Sequence, residues 1–79
     1  MEMMIIPAAL ADILEATNTP QTIFKRRLTT DGRLVAGMQC RIDFEDQFAA
    51  WEAANGVVQT AEIGLDDFPA PVLPVDWVG

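Results

Sequence analysis

The side chains that could do chemistry in this chain are few, and their spacing argues against a catalytic centre. Histidine is absent, so the commonest general base, nucleophile partner and zinc ligand are missing together. Serine and tyrosine are absent as well. The single cysteine, Cys40, excludes an internal disulfide and a zinc site of the usual kind, and it reads as a buried small hydrophobe. Glu45-Asp46 and Asp66-Asp67 are paired carboxylates, but adjacent side chains on a helix or strand diverge, and neither pair fits a calcium loop. Gly32, Gly37, Gly56 and Gly64 are isolated and form no phosphate-binding loop. These residues predict a non-enzymatic protein with no cofactor and no metal.

What the chain has instead is charge. Its formal net charge is −7 and its pI is near 4.1. A field of that sign disfavours nucleic acid and anionic membrane and favours a partner with a basic surface. All five basic residues (Lys25, Arg26, Arg27, Arg33 and Arg41) fall in one segment, and the acids lie almost wholly outside it. The molecule reads as bipolar. Glu45, Asp46, Glu52, Asp66 and Asp67 are the candidate acidic contacts with a partner.

The elements that would position these groups follow from hydrophobic period and turn chemistry. Ile6, Leu10, Ile13, Leu14 and Thr17 recur on one side at helical spacing, which predicts a helix over 7–17, with Pro7 in its first turn and Asn18-Thr19-Pro20 as its stop. Met3 to Ile6 reads as a short strand or as an anchor for the helix. Strands are expected over 22–29 and 33–42, because Leu34, Ala36, Met38, Cys40 and Ile42 recur at every second position. A three-residue loop, Thr30-Asp31-Gly32, sets Leu28 opposite Leu34 and brings apolar side chains together. That register sends Lys25, Arg27, Arg33 and Arg41 to the other face, as solvated charges or a docking surface for an anionic group.

A second helix is expected over 44–54, capped by Asp43 and ended by Asn55-Gly56, with Phe44, Phe48 and Trp51 as its core stripe. A third strand over 57–63 returns parallel to the second, in the order 3-1-2. Residues 66–79 hold three prolines and several large apolar side chains, and they read as an extended arm anchored by Phe68, Leu73 and Trp77.

The expected fold is therefore a single α+β domain over 1–65, in the order α-β-β-α-β. A three-stranded sheet built on a β-hairpin carries two helices on one face, and the Pro-rich arm of 66–79 follows. Seventy-nine residues leave little stability to spare, so nearly every apolar segment must pack. Met1 to Leu14 is interrupted by Glu2, Pro7 and Asp12 and reads as neither a signal peptide nor a membrane span. The expected function is protein binding: an inhibitor of phage or mobile-element type, acting in the cytoplasm on a basic, nucleic-acid-binding target. The alternative is a virion subunit (head, connector or tail) that forms a homo-oligomer through its arm.

Overall fold

The computed structural model describes residues 1–69 of the chain. It contains a three-stranded antiparallel sheet and two main helices, the α+β class expected. The sheet is organised differently from the expectation. Its central strand is β1 (Glu2–Ile5), flanked on one side by β2 (Val35–Gly37) and on the other by β3 (Thr60–Glu62). Both neighbours run antiparallel to β1, with Met4 opposite Ala36 on one side and Thr60 on the other. Alternate amides of this segment serve the two sides: Ile5 N–H donates to Gln59 C=O at 2.8 Å, and Ile6 N–H to Leu34 C=O at 2.8 Å.

The segment 22–29 was expected to hold the place that β1 takes. It forms no strand of the sheet and meets it, among the described residues, through the Leu28–Leu34 bridge and a hydrogen bond from Val35 N–H to Arg27 C=O. The reason lies at Phe24. Asn18 Oδ1 accepts the Phe24 N–H at 2.6 Å and Asn18 Nδ2 donates to its carbonyl at 3.2 Å, so a side chain does what a neighbouring strand would. The predicted loop register does hold: Leu28 faces Leu34, and Gly32 turns the chain at φ 87°. Thr29, buried beneath the loop, accepts the Arg33 N–H and donates to Asp31.

The strand expected over 33–42 ends at Gly37, opposite Met3 and one residue short of the start of β1. From there the chain leaves the sheet and satisfies its own backbone groups in a short helix, α2 (Gln39–Asp43). The period-2 run therefore does not mark a single buried face: Ile42 is 66% exposed, whereas Val35, which falls between its apolar positions, is completely buried. Asp43 belongs to α2, so it does not cap the next helix.

The two main helices lie close to their predicted bounds. We number them α1 (Ala8–Ala16) and α3 (Glu45–Asn55), the latter ended by Gly56 at φ 89°. They cover the sheet face that carries Met4 and Ile6. Leu10 and Leu14 of α1, Phe48 of α3, and Phe24, Phe44 and Val58 from the connections form this core. Phe24 and Phe44 meet edge to face, with ring centroids 6.5 Å apart. A second cluster lies on the reverse face: Met3, Val35 and Ile63, with Ile5, Ala61 and Phe68 packed on it. The third strand is shorter than the expected 57–63, because Val57 stands 80% exposed and Val58 turns into the helical core.

Met4 is fully buried at the centre of the sheet, whereas Ile23 of the displaced segment is 58% exposed. Urea unfolding should therefore show Met4→Ala costing about 2–4 kcal/mol and Ile23→Ala under about 0.5 kcal/mol.

Candidate protein-binding surface

Four of the five cations are engaged within the fold. Arg26 reaches back to α1 and pairs with Asp12 and with Glu15, the latter at 2.9 Å. These two carboxylates, three residues apart, hold the guanidinium pKa above its usual range, the Glu15 hydrogen bond being the main cause. Arg33 pairs with Asp31 across the loop at 3.0 Å. Hydrogen bonds from Thr29 and then Arg33 hold the Asp31 carboxyl below its ordinary value. Arg27 stacks on Phe68, its guanidinium carbon 4.4 Å from the ring centroid.

Arg41 and Glu52 were assigned to two different binding surfaces, one basic and one acidic. They are each other's partners. The guanidinium lies on α2, not on a sheet face, and it makes a two-point contact with Glu52 on α3, one arm at 3.0 Å. It also stands over the Phe48 ring at 5.3 Å. Glu52 additionally accepts the Val58 N–H at 2.7 Å, so one carboxylate ties α2, α3 and the lead into β3. Its pKa is lowered, first by the Arg41 hydrogen bond and then by Val58.

With these pairs made, the carboxylates at the α2–α3 corner stand without a cation among the described residues. Asp43 ends α2, and Glu45 and Asp46 occupy the first turn of α3, all three exposed. The positive end of the helix accommodates this clustering. Asp66 and Asp67 lie apart in a 3-10 turn, Leu65–Asp67. Asp67 accepts the Gly64 N–H at 2.7 Å through its side chain and the Thr30 N–H at 2.7 Å through its carbonyl. Of the expected basic face, the structure brings Lys25 and Arg27 together on one groove wall and separates Arg33 and Arg41 from them. Of the arm anchors, Phe68 packs on the reverse-face cluster, while Leu73 and Trp77 lie outside the described residues.

Next to the acidic corner lies a feature that helical periodicity alone did not reveal. A groove of about 360 Å³ runs between α1 and α3, lined by Ile13, Asp46, Gln47, Ala50, Trp51 and Ala54. On the far side of Trp51 a second groove of about 290 Å³ is lined by Ile5, Pro7 and Val57 among others. Ile13 was expected in the core but is 42% exposed, because Leu10, Ala11 and Leu14 already fill the α1 contact. The excess width of the α1 apolar stripe was the available signal. Trp51 is half-buried, one side on the core and the rest between the two grooves.

Cys40 lines the groove that Lys25 and Arg27 share, and desolvation followed by the Asp43 charge pushes its thiol up to about 11. Such a thiol is a poor nucleophile at neutral pH. Among the described residues no group of three His, Cys, Asp or Glu side chains is placed to hold a metal ion, and no helix is long and apolar enough to cross a membrane. Comparison with protein-family models, with curated proteins and with solved structures finds no match to this chain. The chemistry of the surface therefore stands on its own residues: a tryptophan between two apolar grooves, with carboxylates at one end.

Glu52 has a depressed carboxyl pKa, so its contribution is present above the ordinary value of 4.5 and is lost as pH falls through the folded value. Urea midpoints measured from about pH 6 to pH 3 should decline below that value in the native chain, and less steeply in Glu52→Gln. At neutral pH the same variant should lose about 1–2 kcal/mol.

Proposed function

We infer that this chain is a protein-binding module that docks the α1–α3 face, with Trp51 at its centre, onto a basic surface of a partner. The observation that carries this reading is the adjacency of the Trp51 grooves to the carboxylates of the α2–α3 corner. An apolar side chain of the partner enters beside Trp51, and a neighbouring Lys or Arg meets Asp43, Glu45 or Asp46. Central tryptophans dominate binding energy when water is excluded around them. Rim carboxylates mainly set encounter rate and specificity. The net charge of −7 supports the same sign of partner. In this reading the protein is an inhibitor-type module, of the kind a phage or mobile element directs at a nucleic-acid-binding target. Occupying the target's basic surface is then the whole mechanism, and no chemical step is required.

A direct test uses an amphipathic helical peptide of Leu and Lys as probe, titrated into the labelled protein and followed by NMR. Shifts should concentrate at Ile13, Asp46, Ala50 and Trp51, and Trp51→Ala should weaken binding by about 2 kcal/mol or more. Raising salt from about 0.05 to 0.5 M should weaken it further. Shifts scattered over the surface, or an affinity indifferent to both changes, would remove this reading.

A further inference from the structure

The two edges of the sheet are finished differently. Beside β2 the 22–29 segment closes the edge: Val35 N–H donates to Arg27 C=O and Thr29 N–H to Arg33 C=O, both at 2.9 Å. Among the described residues nothing pairs with the outer side of β3. The register says which groups that edge presents. Ile63 N–H donates to Met1 C=O at 2.8 Å and Gln59 C=O accepts from Ile5, so Gln59, Ala61 and Ile63 turn their backbone groups toward β1. Antiparallel pairing alternates, so the N–H and C=O of Thr60 and Glu62 point away from the sheet. Both residues are exposed. Their donors and acceptors stand in the order that an incoming antiparallel strand requires.

The side chains define the strand that fits. Glu2 and Glu62 lie directly opposite each other, in a pair without mutual hydrogen bonds, where side chains come closest and like charges oppose the pairing. The Met1 amino group meets Glu62, and the Thr60 hydroxyl donates to Glu2 at 3.2 Å. Glu2 itself has no cation among the described residues, and the Glu62 side chain is 77% exposed. A second copy would add two more carboxylates to this end of the sheet, whereas a strand carrying Lys or Arg relieves the repulsion already there. On the reverse face the edge position is Ala61, half-buried and packed on the cluster of Met3, Val35 and Ile63. An apolar side chain of the incoming strand lies over it.

We propose that the free edge of β3 receives an extended segment of a partner protein as a fourth, antiparallel strand, with Lys or Arg on the side of Glu2 and Glu62 and a β-branched residue beside Ala61. Thr60 and Glu62 each exchange both backbone hydrogen bonds with it. This surface is separate from the α1–α3 face, because Glu2, Thr60 and Glu62 line neither groove beside Trp51.

The probe is a capped peptide of alternating Lys and Val, titrated into the full chain and followed by NMR. Its Lys amides are the ones that face β3. Backbone N-methylation of the Lys residues should weaken binding by about tenfold or more, and N-methylation of the Val residues by less than about twofold. The Thr60 and Glu62 amides should become protected from exchange at saturating peptide. These arms use the native sequence, so they do not depend on a variant folding. Glu2→Lys/Glu62→Lys should weaken binding by about tenfold. Trp51→Ala should leave it unchanged, which separates this surface from the α1–α3 reading. No binding at millimolar peptide, equal loss with both sets of N-methyl peptides, or shifts that bypass Thr60 and Glu62 overturn the proposal. Protection of those two amides without peptide also overturns it, because the edge is then already occupied by the chain itself or by a second copy.

Discussion

The fold depends on one constraint: a four-residue strand near the start of the chain must be paired on both edges and covered on both faces. β1 has a partner on each side, and its side chains alternate between two separate clusters. Met4 goes to the helices and Met3 to the reverse face. Neither β2 nor β3 contacts the other, so each reaches the sheet only through β1. The strand is short, and this limits its neighbours to three residues apiece. β2 leaves β1 at Gly37, opposite Met3, and the chain then makes its own hydrogen bonds in α2. In a domain with so little burial to spare, this central strand is where a single cavity has the greatest effect.

The parts of this arrangement that were legible in the sequence are those set by local chemistry. Pro7, the Leu10–Leu14 spacing and Asn55-Gly56 mark two helices whatever they pack on. The loop at Thr30-Asp31-Gly32 is readable because only one register brings Leu28 to Leu34. The central strand was not legible as such, because a strand buried on both faces shows a continuous apolar run, Met3-Met4-Ile5-Ile6, in place of alternation. The alternation that does occur, from Leu34 to Ile42, spans a strand, a turn and a helix. Its first half is a strand, but one packed on both faces, with Val35 completely buried; its second half is helical, since Cys40 and Phe44 are related by a hydrogen bond of 3.0 Å. The Asn18 clamp on Phe24 is a tertiary accident that no period or propensity records.

For the candidate surface, residue type was readable and pairing was not. Counting charges separates acidic from basic segments, but it does not tell which charges face each other. Arg26 crosses to α1, Arg33 closes its own loop and Arg41 bridges to Glu52. The cations therefore act mainly as ties between elements, and the acidity left at the α2–α3 corner is what the fold presents outward. Folding converts a chain with one basic segment into a surface whose exposed corner is acidic beside an apolar groove. That conversion links the core to the binding reading: the side chains that hold α3 in place are also those that leave Trp51 between two grooves.

The most direct measurement of this account is native-state hydrogen exchange resolved by residue. If β1 is the strand on which the sheet depends, the Ile5 and Ile6 amides, bonded to opposite neighbours, exchange only through global unfolding and rank with the slowest in the molecule. The Ile23, Lys25, Arg26 and Arg27 amides, which donate no hydrogen bond among the described residues, then exchange orders of magnitude faster. Rapid exchange at Ile5 and Ile6, with slow exchange along 22–29 and 33–42, would contradict the account and place a hairpin at the centre of the sheet.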